Sequence, residues 1–261
     1  MKILKYLLIF VPISFIAKFL GASPTIMFTL ACLLIISLAG LMGEGDEEIS
    51  FYSGPKIDGF LNGTFRNATE FMISFFALKE GLFEVVKSSI AGAVIGNILL
   101  VLGASMFAGG LKYKNHPFNQ TVSDVPSSML LFTVLGPCIP ALFTHTVDPI
   151  LLNTRYEGLG LFVAVIMIII YLLSLFFSFK THKHLYLMAE DASEHSLKWS
   201  LQKSILVLVI ATILMAIESE FLVGGIESIT ECLGFSEFFI GIILIPIIEN
   251  ASEHSTAVVM A

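Results

Sequence analysis

The chain has 261 residues, of which 56% are apolar and only 13% charged, roughly half the charged share of an ordinary soluble domain. This excludes a water-soluble globule, because too few polar side chains are available to cover its surface. The net charge of -7, with no basic arm or stripe, excludes a nucleic-acid partner and favours cations around what read as short acidic loops.

Apolar stretches of about 18 to 22 residues recur along the chain, each long enough to cross a hydrocarbon core of about 30 Å at 1.5 Å per residue. The pattern predicts an all-α integral membrane protein with about eight transmembrane helices. The first span, Ile3 to Phe19, starts like a signal peptide. Its apolar run contains Pro12 and Lys18 and leads to no clear small-residue cleavage site, so it reads as a retained helix. Pro24 to Met42 follows, then an acidic lead-in through Glu44 and Glu48. The third span, Gly59 to Leu78, carries Arg66, Asn67 and Glu70, and the fourth runs from Ser88 to Gly110. The fifth, Met129 to Thr146, ends at His145, Asp148 and Pro149, which read as an interfacial turn in preference to a catalytic or metal pair. Gly158 to Phe179 and Ser204 to Phe221 flank a loop, Lys180 to Lys203, of mixed charge. That loop reads as a short amphipathic helix in which His182, His184 and His195 are solvated. The last span, Glu237 to Ala261, carries Glu249, Asn250, Glu253 and His254. Cys32, Cys138 and Cys232 show no metal-ligand spacing and read as small packing residues.

Alternate loops divide the basic residues unevenly. Lys2, Lys5, Lys56, Lys112, Lys114, Lys180, Lys183, Lys198 and Lys203 fall on one side, and Lys18, Lys79, Lys87 and Arg155 on the other. By the positive-inside rule the N-terminus and the longest loop are cytoplasmic. The expected location is a multi-pass position in a plasma membrane, or an inner membrane if the source is prokaryotic.

A shift of 183 residues, from Asn67 to Asn250, aligns two segments without a gap. Glu44 falls on Glu227, Glu48 on Glu231, Ser53 on Ser236, Ile57 on Ile240, Leu61 on Leu244, Ala68 on Ala251 and Glu70 on Glu253. In the predicted topology the two motif helices enter from opposite sides, so the repeats are inverted, as in secondary transporters with a polar site near the bilayer midplane. The organisation follows: N-terminal helices in 1–43, a first repeat in 44–179, a charged cytoplasmic loop in 180–203 and the start of a second repeat in 204–261. Leu78 corresponds to Ala261, so Lys79 to Phe179 of the first repeat have no counterpart, and about 100 residues of the second are missing if the two are equally long. That predicts a truncated product, or a chain completed by a second chain that supplies the missing helices.

Asn67 and Glu70 share a helix face, since residues three apart are neighbours, and Asn250 and Glu253 repeat the pair. A carboxamide beside a carboxylate suits a hard cation that takes oxygen ligands. One acid in a span could be an interhelical hydrogen bond, but two at equivalent positions point to an ion pathway. Arg66 and Glu249 also occupy equivalent positions. Their opposite charges predict a buried ion pair, in preference to pairing of Arg66 with Glu70 or to an unpaired Arg66 that reaches water. For His254, helix packing and a proton relay remain equally open.

The motifs Asn67-Ala68-Thr69-Glu70 and Asn250-Ala251-Ser252-Glu253-His254 resemble those of the cation/proton exchanger family of the calcium/cation antiporter superfamily. The likeness extends over Leu61 to Phe65, Phe76 to Leu82, Gly96 to Gly103, Phe238 to Gly241 and Leu244 to Pro246, and so covers essentially the whole chain. It implies antiport of Ca²⁺ against H⁺ as transported ions, with no cofactor. Glu70 and Glu253 would be the shared Ca²⁺/H⁺ ligands, Asn67 and Asn250 would supply further oxygens, and Asn97 would face the second motif. The family carries Gly before each Asn, where this chain has Arg66 and Glu249. It also carries a Gly-Ser-Ser-x-Gln segment that has no counterpart in these 261 residues. The competing reading is a non-transporting or half-transporter subunit that needs a partner chain. An intramembrane hydrolase would need a nucleophile and base on adjacent turns, and the sequence offers none.

Overall fold

The computed structural model describes residues 6–53, 65, 67–114, 120–146, 149–177, 180, 199–251 and 254, and no strand occurs among them. A short 3-10 turn leads into α1 (Phe10–Phe19), followed by α2 (Pro24–Ser53), α3 (Ala68–Lys79) and α4 (Phe83–Lys112). Next come α5 (Gln120–Thr146) and α6 (Pro149–Phe176). The chain continues through α7 (Leu201–Gly224), α8 (Ile226–Leu233) and α9 (Glu237–Glu249). Helix is present at each of the eight predicted locations, though parts of several, including 54–64 and 255–261, lie outside the described residues. Among the described residues α2, α4, α7 and the Gly158–Phe176 part of α6 are long and apolar enough to cross a membrane alone. The pair α8 and α9, bent by 115°, passes the same test together.

Two glycines show why helices stop where they do. Gly81 and Gly234 take φ of 78° and 69° just past α3 and α8, a left-handed conformation that costs a residue without Cβ little. New helices then start on hydroxyl caps. Ser236 accepts the Phe239 N–H at 3.1 Å at the head of α9, and Ser200 accepts that of Lys203 at 3.4 Å at the head of α7.

The chain forms two compact units, and residues 116–195 make up one of them. There α5 packs against α6, with Gly136 seated on the thioether of Met167, a contact that a larger residue would block. The other unit holds all remaining helices. Its core is the pairing of α2 with α7, the helices that lead into the two motif segments, where Leu34, Ile35 and Leu38 meet Ala211, Met215 and Leu222, all without solvent exposure. The pair is antiparallel. Phe28, near the start of α2, abuts Gly225 just past the end of α7, whereas Gly45, late in α2, abuts Leu208 early in α7. Equivalent helices that run in opposite directions are what inverted repeats require.

The acidic residues correct the predicted boundary at Met42. The apolar pattern ends the span at Met42 and makes 44–48 an acidic lead-in to the next, but α2 continues unbroken to Ser53, with Asp46 and Glu48 buried on it. The reason is tertiary: Glu48 Oε2 accepts the Trp199 N–H at 3.2 Å, and the Tyr52 hydroxyl donates to the Trp199 carbonyl at 2.8 Å. The end of α2 therefore satisfies backbone groups just ahead of α7. The cysteines also differ from expectation, since Cys138 and Cys232 are exposed and only Cys32 is partly packed.

α4 and α9 cross through small residues. A Cβ on Gly92 would collide with the Ile242 backbone, and one on Gly241 with Ser88 and the Val85 carbonyl. Close backbone approach of this kind is how helices gain packing energy in a solvent as apolar as themselves. We expect Gly92→Val and Gly241→Val each to cost about 1–3 kcal/mol, read as a lower melting temperature in detergent. Gly103→Ala, which meets open space, should leave the melting temperature unchanged. Equal effects at all three positions would contradict the crossing.

Candidate functional site

The first motif sits at a helix start. Asn67, at φ -89° and ψ 2°, precedes α3, and Glu70 lies in the first turn. The second sits at a helix end: Asn250, at φ -102° and ψ 6°, closes α9. Both asparagines occupy the same sparsely populated bridge region. Helices broken at repeat-equivalent points within a membrane release backbone groups that can be tolerated only beside a cavity or protein partners.

The two breaks meet. Asn250, 4% exposed, donates from Nδ2 to Glu70 Oε1 at 3.0 Å across 180 residues of sequence. On the far side, His254 Nε2 lies 3.2 Å from Asn97 Oδ1. Asn97 belongs to a π-helical stretch of α4, Gly96–Leu102, and a second such stretch, Ile240–Leu244, leads into the second motif. Wider turns of this type re-aim side chains and recur at functional sites.

Between these elements lies a cavity of about 240 Å³, bordered by Asn67, Glu70 and Ser74 of the first motif helix, Ser89 and Asn97 of α4, and Glu249 of α9. Among the described residues no three His, Cys, Asp or Glu side chains cluster as a metal centre. The donors are instead mixed carboxylate, carboxamide and hydroxyl oxygens. Hard cations such as Ca²⁺ take such a set, whereas softer metals seek nitrogen and sulfur. The C-terminal end of α9 adds the partial negative charge of its dipole beside Glu249.

Of the predicted site residues, Asn67, Glu70, Asn97, Asn250, Glu249 and His254 gather in this one region. Arg66 and Glu253 lie outside the described residues, as do Asp148, His182, His184 and His195. Among the described residues Glu249 has no hydrogen bond or ion pair, and it faces the cavity. Sequence reasoning overlooked Ser74 and Ser89, although Ser74 falls one turn after Glu70 and Ser89 two turns before Asn97. It also overlooked Glu218, an acid in the apolar run of α7, which is fully buried and accepts the Ser14 hydroxyl at 2.5 Å. The signal was an ionisable residue within a span. Ser14 is the buried residue of α1, so this bond ties α1 into the bundle.

Comparison with known proteins gives a consistent result. The model of the sodium/calcium exchanger protein family matches residues 23–180 and 203–261. The Ca²⁺/H⁺ antiporter of Synechocystis is 42% identical over 276 residues, a match that covers 100% of this chain and 74% of the relative. The Ca²⁺/H⁺ antiporter ChaA of Bacillus subtilis is 40% identical over 255 residues, covering 96% of this chain and 72% of its own. Among solved structures, a selenium-substituted Ca²⁺/H⁺ antiporter protein, YfkE, superposes with a TM-score of 0.81 at 35% identity, over 100% of this chain and 73% of that one. Native YfkE gives 0.76 at 36% identity, over 96% and 69%.

The contact between Asn97 and His254 predicts proximity that can be trapped. Cysteines placed at both positions, in a background lacking Cys32, Cys138 and Cys232, should be joined readily in membranes by a short thiol-reactive bifunctional cross-linker. A pair at Asn97 and Ser74 tests specificity less well, because both border the cavity; Asn97 with Phe107, which lies on an outer face, should not link. Efficient linkage of the second pair with none of the first would contradict the geometry.

Proposed function

The chain belongs to the sodium/calcium exchanger protein family, and on that premise we propose that it is a secondary transporter exchanging Ca²⁺ for H⁺ at the cavity between its two motifs. The observation that carries this reading is the bond from Asn250 to Glu70, which joins motifs of opposite orientation around one set of oxygen donors. The antiporters named above, of which the chain spans about three quarters, support the choice of ions.

Exchange then needs little beyond competition. Glu70, together with Glu253 at the equivalent position of the second repeat, holds either the cation or protons, and loading by one excludes the other. Asn67 and Asn97 offer carbonyl oxygens to the cation, and Ser74 and Ser89 offer hydroxyls. The Asn250 amide fixes the Glu70 carboxyl in place in either state. Alternating access comes from one repeat moving against the other around this fixed site. The N-terminus faces the cytoplasm, supported by the excess of lysines in the loops on that side. A proton relay is the role proposed for His254, supported by its contact with Asn97 at the edge of the site.

The test is transport. Everted membrane vesicles carrying the protein, acid inside, should accumulate radioactive Ca²⁺, and a protonophore that collapses the gradient should stop the uptake. Glu70→Gln and Glu253→Gln should each reduce uptake to background, because an amide keeps the shape but can neither hold a proton nor neutralise Ca²⁺. Undiminished uptake in both variants would remove these carboxylates from the mechanism.

A further inference from the structure

Resting on the reading of the cavity as a cation site, we propose that Glu249 is a specificity-determining ligand of the transported cation, adding a carboxylate to those that the repeat supplies. Glu249 is the last residue of α9 and is 5% exposed, yet it borders the same cavity as Glu70, Asn67, Asn97, Ser74 and Ser89. Among the described residues it makes no hydrogen bond and no ion pair. The neighbouring Asn250 does not serve it, since that amide is turned to Glu70. A carboxylate buried inside a span needs a compensating charge. Two carboxylates that face one small space repel each other unless a cation sits between them. A divalent cation in the cavity, shared by Glu70 and Glu249, meets both needs.

The consequence is selectivity. Attraction to the site scales with the cation's charge, so each added carboxylate favours divalent over monovalent ions, and the number of charged ligands is a main determinant of Ca²⁺ affinity. The family resemblance places Gly at this position, and Gly brings no side-chain oxygen. This chain therefore holds Ca²⁺ more tightly, and rejects Na⁺ and K⁺ more strongly, than it would with Gly at 249. Arg66 is the rival partner for Glu249, as the residue at the equivalent position of the first repeat.

Calorimetric titration of the purified protein with Ca²⁺ at fixed pH, with and without excess Na⁺ or K⁺, separates the cases. Glu249→Gln and Glu249→Gly should weaken Ca²⁺ binding by about tenfold or more and let Na⁺ compete, whereas Glu249→Asp should retain most of the affinity. If Glu249→Gly fails to fold, the isosteric Glu249→Gln carries the test. Unchanged affinity and unchanged Na⁺ competition in Glu249→Gln would overturn the assignment. So would recovery of full affinity when Arg66→Gln is added to Glu249→Gln, which would mark the pair as an ion pair outside the ligand set. Failure of the exchanger reading looks different: wild-type protein would then bind no Ca²⁺ at all.

Discussion

A carboxylate inside a membrane survives only where the protein itself provides for it, and the arrangement of this chain follows from how Glu70 is provided for. The bond from Asn250 comes from the residue at which α9 is interrupted, and Asn67 makes the matching interruption ahead of α3. Backbone groups freed by two such breaks cannot face lipid. The backbone beside both breaks stays hydrogen-bonded, through Asn250 N–H to the Pro246 carbonyl and through Asn67 carbonyl to the Phe71 N–H, and polar side chains of α4 border the cavity next to them. The proposed ion site is thus lined by the same polar residues that flank the two breaks.

The frame that holds the breaks together is built from small residues and from antiparallel pairing. α2 and α7 are the helices that lead into the two motif segments, and they run in opposite directions. The crossing of α4 and α9 at Gly92 and Gly241 sets how near Ser89 and Asn97 can come to the second motif. Ser14 and Glu218 anchor α1 to the same bundle, and Thr25 and Ser228 form a further hydroxyl contact of 2.7 Å between α2 and α8. Polar bonds between transmembrane helices contribute about 0.6 to 2 kcal/mol each, so several together fix a register that apolar contacts against lipid would leave loose.

Much of this was legible in the sequence because membrane spans are governed by length and composition, and because a repeat exposes its own functional residues. The eight helical locations and the meeting of Asn67, Glu70, Asn97 and Asn250 were visible on those grounds, Asn97 through the family resemblance. What depended on long-range contact was not. The span read as ending at Met42 because four acids in five residues, Glu44 to Glu48, interrupt its apolar run; the Trp199 backbone, 151 residues away, gives Glu48 a partner that lets it stay helical and buried. Ser74 and Ser89 look like ordinary span hydroxyls until packing turns them to one cavity. The place of Glu249 on the cavity wall depends on how α9 docks against α3 and α4, whereas its equivalence to Arg66, which lies outside the described residues, was visible in the repeat.

The central claim is that a cation binds where the two motifs meet. Anomalous diffraction from crystals grown in Ca²⁺, and again in Mn²⁺ for a stronger signal, tests it most directly. One peak is expected within the cavity, at about 2.3–2.6 Å from a Glu70 carboxylate oxygen in the Ca²⁺ crystals, and no peak there in Glu70→Gln crystals. An ion bound elsewhere in the membrane region, with the cavity beside Glu70 empty, would contradict it.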